Sequence, residues 1–332
     1  IQVLTMSQAN LQLQRQLLTV LSDGQFHSGQ RLAELFGLSR TAVANNLKQL
    51  SRLGLDIYTV KGRGYALATP LQLLDAGVIR SLQPASSPEI RVQNITDSTN
   101  AQLLSLIQSG KTLQPGQVIV AEAQTAGRGR RGRSWFSPFG SSLYFSFYWR
   151  LEQGIQAAMG LSLVVACALA ELIAADYQVN TQLKWPNDLY LNGKKAAGIL
   201  VELAGQADGI CDVVIGIGVN IQMPKLANQT IDQPYIDLQS ITSKKVDRNS
   251  LVARLQQALL AALDDFNRYG FLPFQQRFNQ QDLFAGKLVQ LSGSSNIQGI
   301  CRGVDQQGAL LLETASGVQA FYGGELSLRG AV

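Results

Sequence analysis

Three patterns in the 332-residue sequence predict an α+β multidomain chain. The amino-terminal part reads as short amphipathic helices followed by a basic hairpin. The middle alternates apolar strands with helices, and the end reads as short strands separated by glycine-rich turns. One ordinary hydrophobic core does not extend over this length, so two or three domains are expected. We place the divisions at 1–69, 70–284 and 285–332.

In the first segment, apolar residues at 11, 13, 17, 18, 20 and 21 fit one helix face between Leu11 and Ser22. Ser28 offers an N-cap for a helix ending near Phe36, Gly37-Leu38-Ser39 is a tight turn, and Ser39 can cap a helix from Arg40 to about Leu53. Two short helices about a glycine-containing turn form a helix-turn-helix. Val43, Leu47 and Leu50 share the inner face of the second helix, leaving Arg40, Thr41, Asn45 and Lys48 outward. Two strands follow, 55–60 and 65–67, joined by Lys61-Gly62-Arg63-Gly64. Such a basic hairpin tip makes the segment a winged helix-turn-helix, with its helix suited to the major groove and Lys61 and Arg63 suited to phosphates. His27, the one histidine, is read as structural.

The middle segment opens with an expected helix over 71–82, a proline-bounded loop, a strand over 90–95 and the run Asp97-Ser98-Thr99-Asn100 at the start of a helix ending near Gln108. Taken alone, that run is N-cap chemistry; it also presents hydroxyl and amide groups to anything bound at the helix terminus. A strand over 118–121 then delivers Glu122, Gln124 and the stretch GRGRRGRSWFSP, Gly127 to Pro138, which ends before an aromatic strand over 143–149. Four arginine forks among glycines require an anion. The loop joins strand to strand and lacks a Gly-Lys-Ser/Thr ending, which argues against P-loop hydrolase chemistry. A buried helix over 160–175 precedes KWPNDLY, Lys184 to Tyr190; the Asn192-Gly193 turn and a strand over 197–203 complete a hairpin. Gly216 and Gly218 bare one face of a strand over 213–219, which implies close approach by a backbone or a ligand. Residues 222–233 read as a polar, mobile loop. A helix over 251–266 leads to four short strands beyond residue 287, the pattern of a small barrel.

Charge supports two anionic partners. Residues 1–69 hold seven Lys or Arg against three Asp or Glu and the loop holds four arginines, so with a net charge of +5 the rest is slightly acidic. Cys167, Cys211 and Cys301 show no CxxC spacing, which suggests neither a disulfide framework nor a zinc site and fits a reducing cytoplasm. The apolar run 160–175 is interrupted by Ser162 and Glu171 and is too short to span a membrane.

Together GRGRRGRSWFSP, KWPNDLY, DSTN at 97–100 and GIGVN at 216–220 resemble the biotin-protein ligase family. With a winged helix in front, the chain resembles the bacterial bifunctional form that is also the biotin operon repressor. The resemblance extends over essentially the whole chain. It implies a biotin/lipoate-ligase-like central catalytic domain and makes the terminal barrel SH3-like, with Gly323-Gly324-Glu325 fitting the family pattern before its last strand.

The resemblance also implies the chemistry. Biotin and ATP, with Mg2+, form biotinyl-5′-AMP and pyrophosphate, and a lysine of a biotin carboxyl carrier protein attacks the mixed anhydride. Lys184 and Arg130 would be the catalytic cations. Ser98, Thr99, Asn100 and Gln124 would line the biotin site; Gly127, Arg128, Gly129, Arg130 and Arg133 would form the ligand loop. Trp135 would cover adenine, Asn187 and Asn220 would complete the site, and Asp188 would hold Mg2+. Operator DNA would meet the winged helix, and the adenylate would favour a homodimer by ordering loop 222–235. A non-turning ligand sensor and a lipoate-type ligase are the rival readings, and no membrane association is expected.

Overall fold

A computed structural model describes residues 8–152, 158–205, 209–293, 296–323 and 326–330. Gly324 and Glu325, two of the three residues of the glycine-glycine-glutamate run, therefore lie outside the described residues.

The amino-terminal helices are α1 (Gln8–Leu21), α2 (Gly29–Phe36) and α3 (Arg40–Arg52), followed by the hairpin β1 (Ile57–Val60) and β2 (Gly64–Leu67). Both expected caps form: Ser28 Oγ accepts from the Arg31 amide and Ser39 Oγ from the Ala42 amide, each at 3.1 Å. Gly37 closes α2 in the left-handed region at φ 64°. Leu17, Leu21, Leu32, Val43, Leu47 and Leu50 bury against one another and against Phe139 and Ala123 of the central part, so the winged helix is seated on its neighbour. His27 is buried, with its ring 3.1 Å from Asp23 and its backbone bridged to Tyr65 of the wing.

The expected helix over 71–82 is shorter. Only α4 (Ala76–Ser81) is helical, capped by Asp75, and residues 71–75 form no regular element. The cause is tertiary: the Leu74 amide donates to Glu122 at 2.5 Å, the Asp75 amide to Asn249 at 2.8 Å, and Arg248 donates to the Gln72 carbonyl at 2.9 Å. Backbone groups held by distant side chains are no longer available to a helix.

A seven-stranded mixed sheet forms the centre, in the order β3-β4-β5-β9-β8-β7-β6. Its strands are β3 (Ile90–Thr96), β4 (Val118–Gln124), β5 (Ser142–Leu151), β6 (Thr181–Lys184), β7 (Asp188–Leu191), β8 (Lys194–Gly205) and β9 (Cys211–Asn220). Among the described residues of this sheet, only β3 and β4 pair as parallel strands. The Asn192-Gly193 turn joins β7 to β8 with φ values of 48° and 71°, as a two-residue hairpin requires. One sheet face is covered by α6 (Leu161–Tyr177) and α8 (Arg248–Tyr269), which meet Leu143, Phe145, Phe147 and Trp149 in the main core. The other face carries α5 (Thr99–Gln108), whose Leu103 packs on Tyr148 and Val214.

The polar stretch expected as loop contains the short helix α7 (Ala227–Thr230), and its Ala227 is buried. Beyond α9 (Leu272–Gln281), the strands β10 (Leu288–Ser292), β11 (Asn296–Val304), β12 (Leu310–Thr314), β13 (Gly317–Phe321) and β14 (Ser327–Gly330) form the SH3-like unit, an antiparallel sheet ordered β13-β12-β11-β10-β14. Asn279 brackets Val304, accepting from its amide at 2.8 Å and donating to its carbonyl at 3.2 Å. The Trp185 indole donates to the Gly308 carbonyl at 3.2 Å, which ties the unit to the KWPND turn.

Candidate functional site

Strand register prepares the floor. Tyr144, Gly218 and Gly198 form one cross-strand row on the α5 face, and Ser146, Gly216 and Leu200 form the next. The two glycines of β9 do not receive a backbone, nor is their space left open for a ligand. A Cβ on Gly216 would lie 2.5 Å from the Asn100 amide oxygen, and one on Gly218 would lie 2.6 Å from the Trp135 indole. The bared strand thus seats two side chains of the candidate site.

Above that floor, Thr99 and Asn100 begin α5. Ser98 serves as its N-cap, accepting from the Ala101 amide at 3.4 Å, so its hydroxyl is engaged with the helix. The Thr99 amide and hydroxyl donate to Gln124 Oε1 at 2.9 and 3.2 Å, and Gln124 Nε2 donates to Ser137 Oγ at 3.1 Å. Asn100 accepts from Ser146 Oγ at 2.5 Å and donates to Glu202 at 2.7 Å. Thr99 and Asn100 are both buried.

The arginine loop is stitched to itself. Trp135 donates its amide to the Gly127 carbonyl at 2.8 Å and Gly129 donates to the Arg133 carbonyl at 2.7 Å, around one 3-10 turn over Arg130–Gly132. Gly127 is required by crowding, since a Cβ there would meet Ser137 Oγ at 2.5 Å and the Trp135 carbonyl at 2.6 Å. Arg131 sits in the left-handed region at φ 58°, which costs a non-glycine residue energy and is a feature of ligand loops.

From the loop, Arg130 reaches Asn187 Oδ1 at 3.0 Å, and Asn187 is fixed by donating to the Ile199 carbonyl at 2.6 Å. On the same turn, Lys184 pairs in register with Asp188 and donates to the Tyr190 hydroxyl at 3.3 Å. Asp188 is bound to Lys195 at 2.7 Å, and that ammonium also lies 5.5 Å from the Trp135 ring. Burial pushes the Lys184 ammonium below the ordinary lysine value; Asp188 opposes this, while Lys195, Arg329 and Arg133 reinforce it. Burial lowers Arg130 too, again opposed by Asp188 and assisted by Arg131 and Arg133. These cations are held close at an electrostatic cost that a polyanion would relieve.

The structure therefore brings Thr99, Asn100, Gln124, Gly127, Arg128 and Trp135 into one network and Arg130, Lys184, Asn187 and Asp188 into an adjoining cluster, with Lys195 between them. Arg133 is exposed and adds positive potential to that cluster. Asn220 ends β9 on the face that carries Gly216 and Gly218 and donates to the Ile236 carbonyl at 3.2 Å. Among the described residues no group of three or more His, Cys, Asp or Glu side chains could hold a metal, and Asp188 is already ion-paired. Sequence reading missed Ser146, Lys195 and Glu202. Each sits on a strand face whose partner across the sheet is known only from register, although the alternation Tyr144-Ser146-Tyr148 marks Ser146 as sharing a face with its neighbours. A cleft of about 490 Å3 lined by Leu151, Met159, Phe271 and Gln307 shares no residue with this site and contains no charged side chain.

At the other end, Arg40, Thr41, Asn45, Lys48, Lys61 and Arg63 are all exposed. Arg63 stacks 4.2 Å from the Phe26 ring, which stiffens the wing tip. The two sites are physically joined. Phe139, at the exit of the arginine loop, donates its amide to the Leu53 carbonyl at the end of α3 at 2.9 Å, and a Cβ on Gly54 would lie 2.5 Å from Pro138.

Comparison with known proteins agrees with this arrangement. Residues 92–220 match the Biotin/lipoate A/B protein ligase family, residues 13–66 an HTH domain, and residues 286–329 the Biotin protein ligase C terminal domain. The chain is similar to the bifunctional ligase/repressor BirA of Salmonella typhimurium, at 46% identity over 316 residues covering 95% of this chain and 97% of that protein. It is similar to the Escherichia coli protein of the same description at 44% identity, with the same coverage. Among solved structures it resembles the biotin protein ligase from Aquifex aeolicus in complex with biotin and ATP, with a TM-score of 0.65 and 30% identity over 73% of this chain and 99% of that one.

Proposed function

The chain belongs to the biotin protein ligase family, and we propose that it acts within that family as an ATP-dependent ligase and as the biotin operon repressor. It forms biotinyl-5′-AMP from biotin and ATP, passes the biotinyl group to a lysine of a biotin carboxyl carrier protein, and uses the adenylate as corepressor on operator DNA. The observation that carries this reading is the convergence of Lys184, Arg130 and Lys195 beside the polar network of Thr99, Asn100 and Gln124, which we read as the wall of a biotin pocket.

In our reading the pocket takes biotin, whose ureido group pairs with Thr99, Asn100 and Gln124. Its carboxylate then lies toward Lys184. The carboxylate oxygen attacks the α-phosphorus of ATP and pyrophosphate departs; Lys184 and Arg130 stabilise the charge gathering on the phosphoryl oxygens. Arg128 and Arg133, with the backbone of Gly127 and Gly129, close the loop over the product, and Trp135 covers the adenine. The amine of the acceptor lysine attacks the acyl carbon and AMP leaves, so no side chain of this protein becomes covalently attached. Ser98 contributes by fixing the start of α5, and Asn220 by holding the segment at Ile236 beside the site.

Mg2+ fits only together with the nucleotide. Its ligands would be phosphate oxygens, with Asp188 released from Lys195 as the protein carboxylate. We assign the domains to residues 1–69, 70–284 and 285–332. Ordering of 222–235 by the adenylate would favour a homodimer carrying two recognition helices. Among the described residues no helix is long and apolar enough to cross a membrane, and we place the protein in the cytoplasm with its ATP and DNA.

The ligase half is tested by incubating the protein with ATP, a carrier domain and either labelled biotin or labelled lipoate. The expected result is label on the carrier from biotin alone. Transfer of lipoate, or adenylate without transfer, would replace this assignment with one of its rivals.

A further inference from the structure

Glu202 stands outside every motif that identifies the site, yet two of its parts meet there. Its carboxylate lies 3.1 and 3.3 Å from Arg128 Nη2 through its two oxygens, and it accepts from Asn100 Nδ2 at 2.7 Å. A carboxylate only accepts hydrogen bonds, so it draws the amino side of the Asn100 amide toward itself and leaves the amide oxygen to the Ser146 hydroxyl. From Ser146 the polar chain continues to the Thr99 hydroxyl at 2.6 Å, through the Thr99 amide to Gln124 at 2.9 Å, to Ser137 and, through the Ser137 hydroxyl, to the Trp135 carbonyl at 2.9 Å.

These bonds close a ring. One arm runs from Glu202 straight to Arg128 at the entry of the arginine loop. The other runs through the pocket wall to Ser137 and Trp135 at its exit. A ring of this kind transmits a change in the pocket to both stems of the loop, because turning Asn100 or Gln124 breaks a bond in the circuit that holds them.

We propose that Glu202 is a positioning residue for the adenylation reaction, coupling occupancy of the polar pocket to closure of the arginine loop through Asn100 and Arg128. The proposal rests on the ligase reading for its consequence and on the ring itself for its geometry. Glu202 touches neither reacting atom. Its role is to set the orientation of Asn100 and to hold the first of four mutually repelling arginines in place.

The test compares the unsubstituted protein with Glu202→Ala, Glu202→Gln, Arg128→Ala and the Glu202→Ala/Arg128→Ala double variant. Ligand-free protein is first exposed to trypsin, and cleavage after Arg130, Arg131 and Arg133 is timed. Loss of one charge-assisted anchor should speed cleavage roughly three- to tenfold in both Glu202 variants. Glu202→Gln keeps an acceptor for Asn100, so it should recover biotin affinity relative to Glu202→Ala without recovering loop protection. Release of preformed biotinyl-5′-AMP should be faster in Glu202→Ala and no faster in the double variant than in Arg128→Ala alone. Unchanged cleavage in both Glu202 variants, or release effects that multiply in the double variant, would overturn the role. Failure of the unsubstituted protein to make adenylate would sink the ligase reading, while the cleavage comparison would still decide the loop-anchoring claim.

Discussion

Lys184→Ala should lower the rate of biotinyl-5′-AMP synthesis roughly 100- to 1,000-fold while leaving biotin binding within a few-fold of the unsubstituted protein. Lys184 is the ammonium at the end of β6, opposite Asp188 and bonded to Tyr190, and the groups that wall the pocket are held by bonds in which it has no part. Its contribution is therefore to the charge that develops at the phosphoryl group and not to recognition of the ring. Burial has lowered the value at which it loses its proton. The adenylation rate should accordingly fall with rising pH before the range of an ordinary lysine near about 10.4, and this limb should vanish from the residual rate of the alanine variant. Pyrophosphate release and biotin titration separate the two quantities. A variant that releases pyrophosphate at the original rate would exclude Lys184 from the chemistry.

Glu122→Ala should destabilise the central fold by about 3–5 kcal/mol, because it strands a buried arginine. Arg248 is 2% exposed and Glu122 is fully buried, with Nη1 and Oε2 2.7 Å apart. The same pair secures the linker to the winged helix. Glu122 accepts from the Leu74 amide, Arg248 donates to the Gln72 carbonyl, and its second Nη donates to the Ser142 carbonyl at 3.1 Å. Replacing both partners, as Glu122→Leu with Arg248→Met, should restore at least half of the lost stability by removing the uncompensated charge. Urea denaturation read by tryptophan fluorescence measures each value. A loss under about 1 kcal/mol in the single variant would mean that water reaches the arginine and the pair is no buried lock.

The legible parts of the chain are those set by local chemistry. Ser28, Ser39 and Gly37 announce the helix-turn-helix through capping, and Asn192-Gly193 announces its hairpin through φ. Arginines between glycines announce an anion site whatever the surrounding fold. Sequence reading fails where distant residues decide. Residues 71–75 have helix-compatible spacing, yet their backbone is claimed by Glu122, Arg248 and Asn249, the last 174 positions away from Asp75. The alternating glycines of β9 correctly signal close approach, but the occupants are Asn100 and Trp135 of the same chain. Glu202 and Lys195 belong to the site only because β8 lies beside β9 and β7 in one particular register. Register depends on the whole sheet, so a single strand read alone could not supply it.

Joining a catalytic pocket to a DNA-binding unit is what makes this protein more than a ligase. The contacts of Pro138 and Phe139 with Gly54 and Leu53 place the exit of the arginine loop against the end of the recognition helix. If one intermediate serves both activities, operator binding by the full chain must respond to its formation and its consumption. Fluorescence anisotropy of a labelled operator duplex should be measured at fixed salt with protein alone, with biotin, and with biotin plus ATP. Binding should be markedly tighter only when biotin and ATP are both present, and that gain should reverse when a carrier domain is added to consume the adenylate. Binding that is equally tight in all conditions, or that survives the carrier, would show that the adenylate is not the corepressor.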